Sequence, residues 1–235
     1  MNIRLNRDQI KLIAIIFMTC NHIAHALISN GTPFYIFMES IGYFTAITMC
    51  YFLVEGYYYT KSKSRYALRF FLFALIAQIP FSYLFSGLNM LFTLLFCFII
   101  ILINDKIEYW LPKIMLISLC FLFSMVSDWA IMAPTFTCIF IWMKKKEKIY
   151  KGFIIANIFC FLYFFLIHNH SALSFQNSVF LSLINMIGPI LASICLLFFY
   201  NGKQSEHRNQ FSKWFFYLYY PLHLYIIMFI SLYIK

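Results

Sequence analysis

The feature that most constrains the fold is a succession of apolar runs separated by short polar breaks. A bilayer core about 30 Å thick needs roughly 20 apolar residues in a helix, and most runs approach that length, although the fourth to sixth are short. Only 11% of the residues are charged, whereas about a quarter are charged in a soluble domain. The sequence therefore predicts an all-α polytopic membrane protein of about nine transmembrane helices, with a single domain over residues 1–235. The runs lie near residues 10–29, 35–59, 66–86, 90–105, 111–127, 129–143, 151–167, 177–200 and 213–234.

The basic residues alternate between the two predicted membrane faces. With a cytoplasmic N-terminus, all but one of the 18 lysines and arginines fall in cytoplasmic segments, the exception being Lys235. Cytoplasmic segments of membrane proteins carry such an excess. We therefore expect a cell-membrane protein with its N-terminus inside and its C-terminus outside. Because the net charge of +10 comes from these clusters, the lipid bilayer is the expected partner and nucleic acid is not.

Two ionisable residues share one face of the first predicted span. Lys11 and His22 are eleven positions apart, which brings them within about 20° of each other around a helix and about 16 Å apart along its axis. Lys11 would lie at the cytoplasmic mouth and His22 near the midplane. Since ionisable groups inside a membrane are costly and commonly functional, His22 is a candidate catalytic residue and His25 a supporting one. The structural alternative is a histidine that only hydrogen-bonds a neighbouring helix.

The last predicted span repeats this arrangement. Lys213 begins it, and His223 follows ten residues later, about 15 Å deeper. Pro221 removes a backbone donor and favours a kink, which can shape a cavity. His223 is therefore a second catalytic candidate, and a kinked packing helix with a satisfied histidine is the alternative.

Four further polar residues are candidates for supporting or binding roles. Glu55 and Arg69 lie at similar depth on consecutive spans, which predicts an ion pair that can form the rim of an anionic-ligand site. Gln78 marks a polar, kinked point deeper in span three. Asp128 lies on the outer face, either as an exposed loop carboxylate or as a contact for a substrate from outside.

No metal site is predicted. His168 and His170 have the spacing of a weak metal tract, but without a third ligand we interpret them as loop histidines. The seven cysteines all fall inside apolar segments and lack paired spacing, so we expect them to be small buried hydrophobic residues.

Four stretches carry a resemblance to a known family: KLIAIIFMTCNHIAHA, FLVEGYYYTKSKSRYALRFFLFALIAQIPF, NMLFTLLF and KWFFYLYYPLHLYI. In this order they resemble the signature stretches of the TraX family, small polytopic proteins named for the conjugative factor that N-acetylates pilin. The similarity spans about Leu12 to Ile227. TraX-like proteins are in turn similar to the wider transmembrane acyltransferases, in which a basic residue ahead of a histidine in the first span marks the active site. Lys11 and His22 carry that pattern here, whereas Asn21 stands where the family usually has an aspartate.

The resemblance implies an acyltransferase that moves an acetyl group from cytoplasmic acetyl-coenzyme A to a peptide amino terminus or a cell-envelope polymer. Phosphates need basic partners, and the candidates are Lys11, Lys61, Arg65 and Arg69. The pantetheine arm is roughly as long as the gap between Lys11 and His22.

Donor and acceptor would reach the reaction from opposite faces. In this interpretation His22 and His223 meet near the midplane, where the two routes join. Two other classes stay open: a secondary transporter, which should show an internal repeat that we do not find, and an appendage assembly protein without catalysis.

Overall fold

The computed structural model describes residues 4–145, 147–171, 173–203 and 210–234. These residues fold almost entirely into helices, and β-type contacts among them are limited to two isolated bridges. The helices are α1 Arg7–Leu27, α2 Pro33–Gly42, α3 Phe44–Tyr59, α4 Lys63–Leu84, α5 Met90–Lys106, α6 Trp110–Ser124, α7 Met132–Lys145, α8 Ile149–His170, α9 Phe175–Asn185, α10 Ile187–Ile194 with a π-helical turn at Cys195–Phe199, and α11 Gln210–Ile234.

Each predicted apolar run corresponds to a helical segment, which confirms the all-α membrane class. The second run contains α2 and α3, and the eighth contains α9, α10 and the π-helical turn. Within the described residues, six segments are long and apolar enough to cross a membrane, and Trp110–Ser124 is apolar but shorter. The six are Arg7–Leu27, Pro33–Tyr59, Lys63–Leu84, Ile149–His170, Phe175–Phe199 and Trp214–Ile234.

Local polar residues fix where the helices begin. Asn6 accepts hydrogen bonds from the backbone N–H groups of Asp8 and Gln9, and the Gln9 side chain accepts one from the Asn6 N–H in return. This reciprocal pair satisfies donors that have no partner inside the helix. Thr32 caps α2 and Asn89 caps α5. Each accepts a backbone hydrogen bond at one side-chain oxygen.

The chain divides into two compact units. The first comprises Met1–Met49 and Lys148–Asn209, and the second comprises Cys50–Glu147 and Gln210–Lys235, so the boundary falls inside α3. The first unit therefore holds α1, α2, α8, α9 and α10, and the second holds α4 to α7 and α11.

In the first unit, the start of α1 lies beside the end of the π-helical turn. The Leu5 N–H donates to the Phe199 carbonyl at 2.8 Å, and the Arg7 N–H donates to the Lys203 carbonyl at 3.1 Å. At the other end of α1, the side chain of His25 contacts Tyr35 in the first turn of α2. The basic start of α1 is thus separated from its histidine-bearing end by the full length of the helix.

In the second unit, consecutive helices extend between the two ends of that unit. At one end, the Tyr57 hydroxyl donates to Asp105 at 2.9 Å, and Lys144 lies 4.4 Å from the ring centre of Tyr58. At the other, the Leu88 N–H donates to the Val126 carbonyl at 2.8 Å. Helices α4, α5 and α7 therefore run from end to end, as an alternating topology requires.

Reporter fusions test that topology. If the short helices α5, α6 and α7 each cross, alkaline phosphatase fused after Gly87, Asp128 or Lys235 should be active, because this enzyme folds only outside the cytoplasm. Fusions after Lys106 and Lys145 should be inactive and should fluoresce when a green fluorescent protein replaces the phosphatase. Phosphatase activity at Lys106 would show that α5 does not cross.

Candidate functional site

The buried face of α1 leads from its basic start to His22. Arg7 and His22 are both only 6% exposed, and Ala14 and Met18 continue the same buried face between them. Because α1 is unbroken from Arg7 to Leu27, the rise per residue keeps Lys11 and His22 about 16 Å apart along the axis. Arg7 lies one turn before Lys11, and this spacing of four residues is the signal that would have added Arg7 to the predicted cationic residues.

A side-chain hydrogen bond of Asn21 links α1 to α2. Its amide nitrogen donates to the backbone carbonyl of Glu39 at 3.3 Å. The helices approach closely here, because a Cβ atom added at Gly42 would lie 2.3 Å from the Cβ of Asn21. Asn21 thus has a packing role beside the buried His22.

His25 belongs to a cluster of titratable side chains between α1 and α2. Its Nδ1 lies 2.8 Å from the Tyr35 hydroxyl, and its Nε2 lies 3.4 Å from Oε1 of Glu39. The Tyr35 hydroxyl also lies 3.4 Å from the same Glu39 oxygen. An ionised carboxylate only accepts hydrogen bonds, so Nε2 of a neutral His25 carries the proton and Nδ1 accepts from Tyr35.

Glu39 and Tyr35 are site residues that the sequence analysis missed. Together with Tyr43, which also hydrogen-bonds the Glu39 carboxylate, they follow one another at intervals of four residues along α2 and its C-cap. Residues at this spacing share one helix face, so the pattern was available in the sequence.

A second group of polar side chains in the first unit joins α2, α8 and α9. The Ser40 hydroxyl donates to Oδ1 of Asn185 at 3.0 Å, and Nδ2 of Asn185 lies 3.1 Å from Nε2 of His168. An amide nitrogen only donates, so Nε2 of His168 is the acceptor. Both His168 and His170 lie in the last turn of α8, and the prediction of loop histidines was wrong.

Metal-binding geometry is not found in the part of the chain that the structure describes. It contains no group of three or more histidine, cysteine, aspartate or glutamate side chains placed to hold a metal ion. All seven cysteines are free thiols.

The residues of the second unit that are predicted to bind the donor lie around the start of α4. Lys61 and Arg65 are exposed, as a phosphate-binding role requires. Lys63 donates to the Tyr57 carbonyl and lies 3.9 Å from the Tyr57 ring centre. These side chains follow directly after α3 and precede the first apolar residues of α4.

Arg69 lies beside two aromatic rings. Its guanidinium carbon is 5.5 Å from the ring centre of Tyr66 and 5.7 Å from that of Tyr217. Its Nε is buried without a hydrogen-bond partner. The ion pair predicted between Glu55 and Arg69 stays a prediction.

His223 is buried in the middle of α11, at 4% exposure. Its Nδ1 lies 2.9 Å from the Tyr219 carbonyl, and its ring stacks on the Tyr219 ring with 5.2 Å between centres. Because a carbonyl only accepts, Nδ1 carries the proton and Nε2 is the basic nitrogen of the neutral ring. Helix α11 continues through Pro221 from Gln210 to Ile234. The side chain of Lys213, the expected partner at the start of this span, lies outside the described side chains.

Gln78 supports the loop between α4 and α5. Its Oε1 accepts from the backbone N–H of Asn89 at 3.0 Å, and its Nε2 donates to the Gly87 carbonyl at 2.8 Å. The adjoining Met90 N–H donates to the Tyr220 hydroxyl at 3.2 Å. The polar point predicted in span three is therefore a structural support for this loop.

Asp128 is half-buried in the loop before α7, which corrects the expectation of an exposed carboxylate. Burial raises the pKa of Asp128 to about 6, opposed by a hydrogen bond from the backbone of Trp129. Its backbone N–H donates to the Leu88 carbonyl at 2.7 Å, so the loop is fixed against the start of α5.

The predicted site residues divide between the units. Lys11, Asn21, His22 and His25 lie in the first, and Glu55, Lys61, Arg65, Arg69, Gln78, Asp128 and His223 lie in the second. The expected meeting of His22 with His223 stays a prediction.

Two comparisons with known proteins give a match that covers nearly the whole chain. The family model described as TraX protein matches residues 6–231. A protein of Dichelobacter nodosus described as "Probable fimbrial assembly protein FimC, serogroup H1" is 27% identical over 238 residues, covering 95% of this chain and 94% of that protein. No solved structure gives a significant match.

The raised pKa of Asp128 predicts a pH-dependent stability. The unfolded carboxyl has a pKa near 3.8, so the folded form holds its proton more tightly, and stability falls as pH rises from about 4 through about 6. Asp128→Asn removes the charge and should raise the free energy of unfolding at pH 7 by about 1–2 kcal/mol, a value reduced for partial exposure, with little gain at pH 4.

Thermal melting in detergent at both pH values measures this difference. The matched control is Glu108→Gln, which changes an exposed carboxylate of the same unit. An equal effect of Asp128→Asn at pH 4 and pH 7 would contradict the prediction.

Proposed function

This chain belongs to the TraX family, and from that premise we propose that it is a membrane-embedded acyltransferase. It moves an acetyl group from cytoplasmic acetyl-coenzyme A to a peptide amino terminus or a cell-envelope polymer. The observation that carries the proposal is the buried imidazole of His22 on the same unbroken helix as Arg7 and Lys11. Ionisable residues inside membrane spans are rare and commonly mark functional sites.

The chemistry assigned to His22 is general-base catalysis. The acceptor nitrogen or oxygen bonds to the thioester carbonyl carbon, and its proton passes to the imidazole. The carbon–sulfur bond then breaks, and the proton passes to the sulfur, which leaves as the coenzyme A thiol. Proton transfer of this kind contributes roughly 10²–10⁴-fold to a rate.

His223 is proposed as a second catalytic group, in the second unit. The hydrogen bond from its Nδ1 to the Tyr219 carbonyl fixes the tautomer, so Nε2 is the nitrogen that takes a proton. Stacking on Tyr219 also fixes the ring plane. An imidazole held in one tautomer and one orientation suits acid–base chemistry better than a mobile one.

The donor is proposed to bind at the basic helix ends. Arg7 and Lys11 begin α1 in the first unit. In the second unit, Lys61 and Arg65 are exposed and Arg69 has a buried Nε without a hydrogen-bond partner. Phosphate oxygens are strong acceptors for such N–H groups, and coenzyme A carries phosphates. Because these ends are cytoplasmic in the predicted topology, the donor would enter from the cytoplasm.

A second candidate function is assembly of a surface appendage without catalysis. The observation that favours it is the description of the Dichelobacter nodosus relative as a probable fimbrial assembly protein. Purified protein incubated with radiolabelled acetyl-coenzyme A separates the two candidates. Label transferred to a peptide or polymer, or release of acetate, supports the acyltransferase, and the absence of both supports assembly alone.

His22→Ala should lower the rate of acetyl transfer at least tenfold, because the variant lacks the general base. The protein should still insert and melt normally in detergent. His170→Ala is the matched control, since His170 is an exposed histidine of the same unit, and should keep wild-type rate. Retention of more than about a tenth of the rate in His22→Ala would exclude His22 from the chemistry.

Lys11→Ala should raise the Michaelis constant for acetyl-coenzyme A more than it lowers turnover, because the lysine is proposed to bind a phosphate. Lys11→Arg should retain most activity, since either cation pairs with phosphate at an open rim. Lys148→Ala removes an exposed lysine of the same unit and serves as the control. An unchanged Michaelis constant in Lys11→Ala would remove Lys11 from the donor site.

A further inference from the structure

We propose that Glu39, His25 and Tyr35 form a proton relay that removes from the first unit the proton released by an amine acceptor. The relay rests on the proposed acetyl transfer and adds three residues to it. The sequence predicts only a supporting role for His25 and predicts no role for Glu39 or Tyr35.

The three groups contact one another pairwise, and the shortest contact joins the hydroxyl to the imidazole; the hydroxyl also lies 3.4 Å from Oε1 of Glu39. The Tyr35 hydroxyl lies 2.8 Å from Nδ1 of His25, and Oε1 of Glu39 lies 3.4 Å from Nε2 of the same ring. The imidazole therefore has a proton donor on one nitrogen and an acceptor on the other. In serine hydrolases the imidazole in the same order of groups accepts the hydroxyl proton, while the carboxylate stays ionised, orients the ring and stabilises the imidazolium.

The relay connects a buried position with an accessible one. Tyr35 is 8% exposed and packs with Ala24 and Met38 in a small apolar cluster. The His25 side chain is 36% exposed and that of Glu39 is 19% exposed. A proton that reaches the buried hydroxyl therefore has a path of two short steps to the protein surface.

His22 is a neighbour of the relay imidazole, His25, along α1. It precedes His25 by three residues on α1, and side chains at this spacing are neighbours on a helix, with roughly 5–6 Å between their Cβ atoms. His22 is the buried member of the pair and His25 the exposed one. The relay imidazole thus lies one turn beyond the proposed general base, at the end of α1 opposite its basic start.

The surrounding titratable groups hold the carboxylate in place. The Tyr43 hydroxyl forms a hydrogen bond with the Glu39 carboxylate and lies near Tyr163 on α8. The Glu39 carboxylate also lies near enough to His168, at the end of α8, for a charge interaction. The amide of Asn21 holds the Glu39 backbone. Glu39 is thus fixed by its neighbours, as a group that orients an imidazole must be.

The proposed reaction releases one proton when the acceptor is an ammonium ion, and the relay would carry this proton away. An α-amino group has a pKa near 8, so at neutral pH most of it arrives as an ammonium ion. The ammonium and the thioester give an amide, the coenzyme A thiol and one free proton. The second N–H proton ends on the sulfur, and the first has to leave the site. An acceptor that arrives as a neutral amine or as a hydroxyl releases no net proton and needs no relay.

The experiment compares transfer at two pH values, using radiolabelled acetyl-coenzyme A and a synthetic peptide with a free amino terminus. At pH 6.5, Glu39→Gln and Tyr35→Phe should lower the transfer rate about 10- to 100-fold, the range of a lost acid–base step. At pH 9.5 the peptide arrives neutral, and the same variants should approach the wild-type rate. His22→Ala should stay slow at both pH values.

Three outcomes are decisive. Equal losses at both pH values would mean that the three residues only support the structure, and unchanged rates at pH 6.5 would overturn the relay while the acyltransferase stands. The absence of transfer by the wild-type protein would overturn both proposals. Tyr150→Phe, a change at an exposed tyrosine of the same unit, is the control for loss of a hydroxyl, and melting temperatures exclude unfolding as the cause.

Discussion

Hydrocarbon offers no hydrogen-bond partners, and the rest of this structure depends on that constraint. Helices satisfy their own backbone groups, and buried side chains have to find acceptors within the protein. The Thr45 hydroxyl donates to the Ala14 carbonyl at 2.6 Å, and the Thr137 hydroxyl donates to the Ala133 carbonyl at 2.9 Å. Ionisable groups inside a membrane span are commonly functional, and His22, 6% exposed on the buried face of α1, is the residue for which we propose a catalytic role.

The same constraint explains why the imidazoles are fixed so firmly. A histidine in an apolar environment is stable when each ring nitrogen has a defined partner. His223 obtains one from the Tyr219 carbonyl on its own helix, whereas His25 obtains partners from α2. A partner on the same helix fixes the tautomer of a ring. The contacts of His25 with Tyr35 and Glu39 on α2 also link its ring to groups that exchange protons, which supports the role proposed for His25.

The fold was predictable to the level of helical segments, because apolar length and capping residues are local properties. The breaks inside the second and eighth runs were not, since the apolar sequence continues through them. These breaks depend on tertiary packing: a Cβ at Gly188 would lie 2.3 Å from the Ser40 carbonyl oxygen. The position of His22 on α1, about 16 Å along the axis from Lys11, was predictable from helical spacing, and its catalytic role stays a prediction. The partners of Arg69 were not predictable, because ring contacts across helices leave no periodic signal in one sequence.

Asn21 connects the family pattern with the geometry found here. The resemblance to transmembrane acyltransferases leads one to expect an aspartate beside the histidine of the first span. An asparagine cannot supply the negative charge, but its amide can hold a neighbouring backbone, and here it holds that of Glu39. The carboxylate of Glu39 then lies 3.4 Å from the imidazole of His25, one turn beyond His22 on α1. A carboxylate on α2 thus lies near this end of α1, and Asn21 helps to position the residue that carries it.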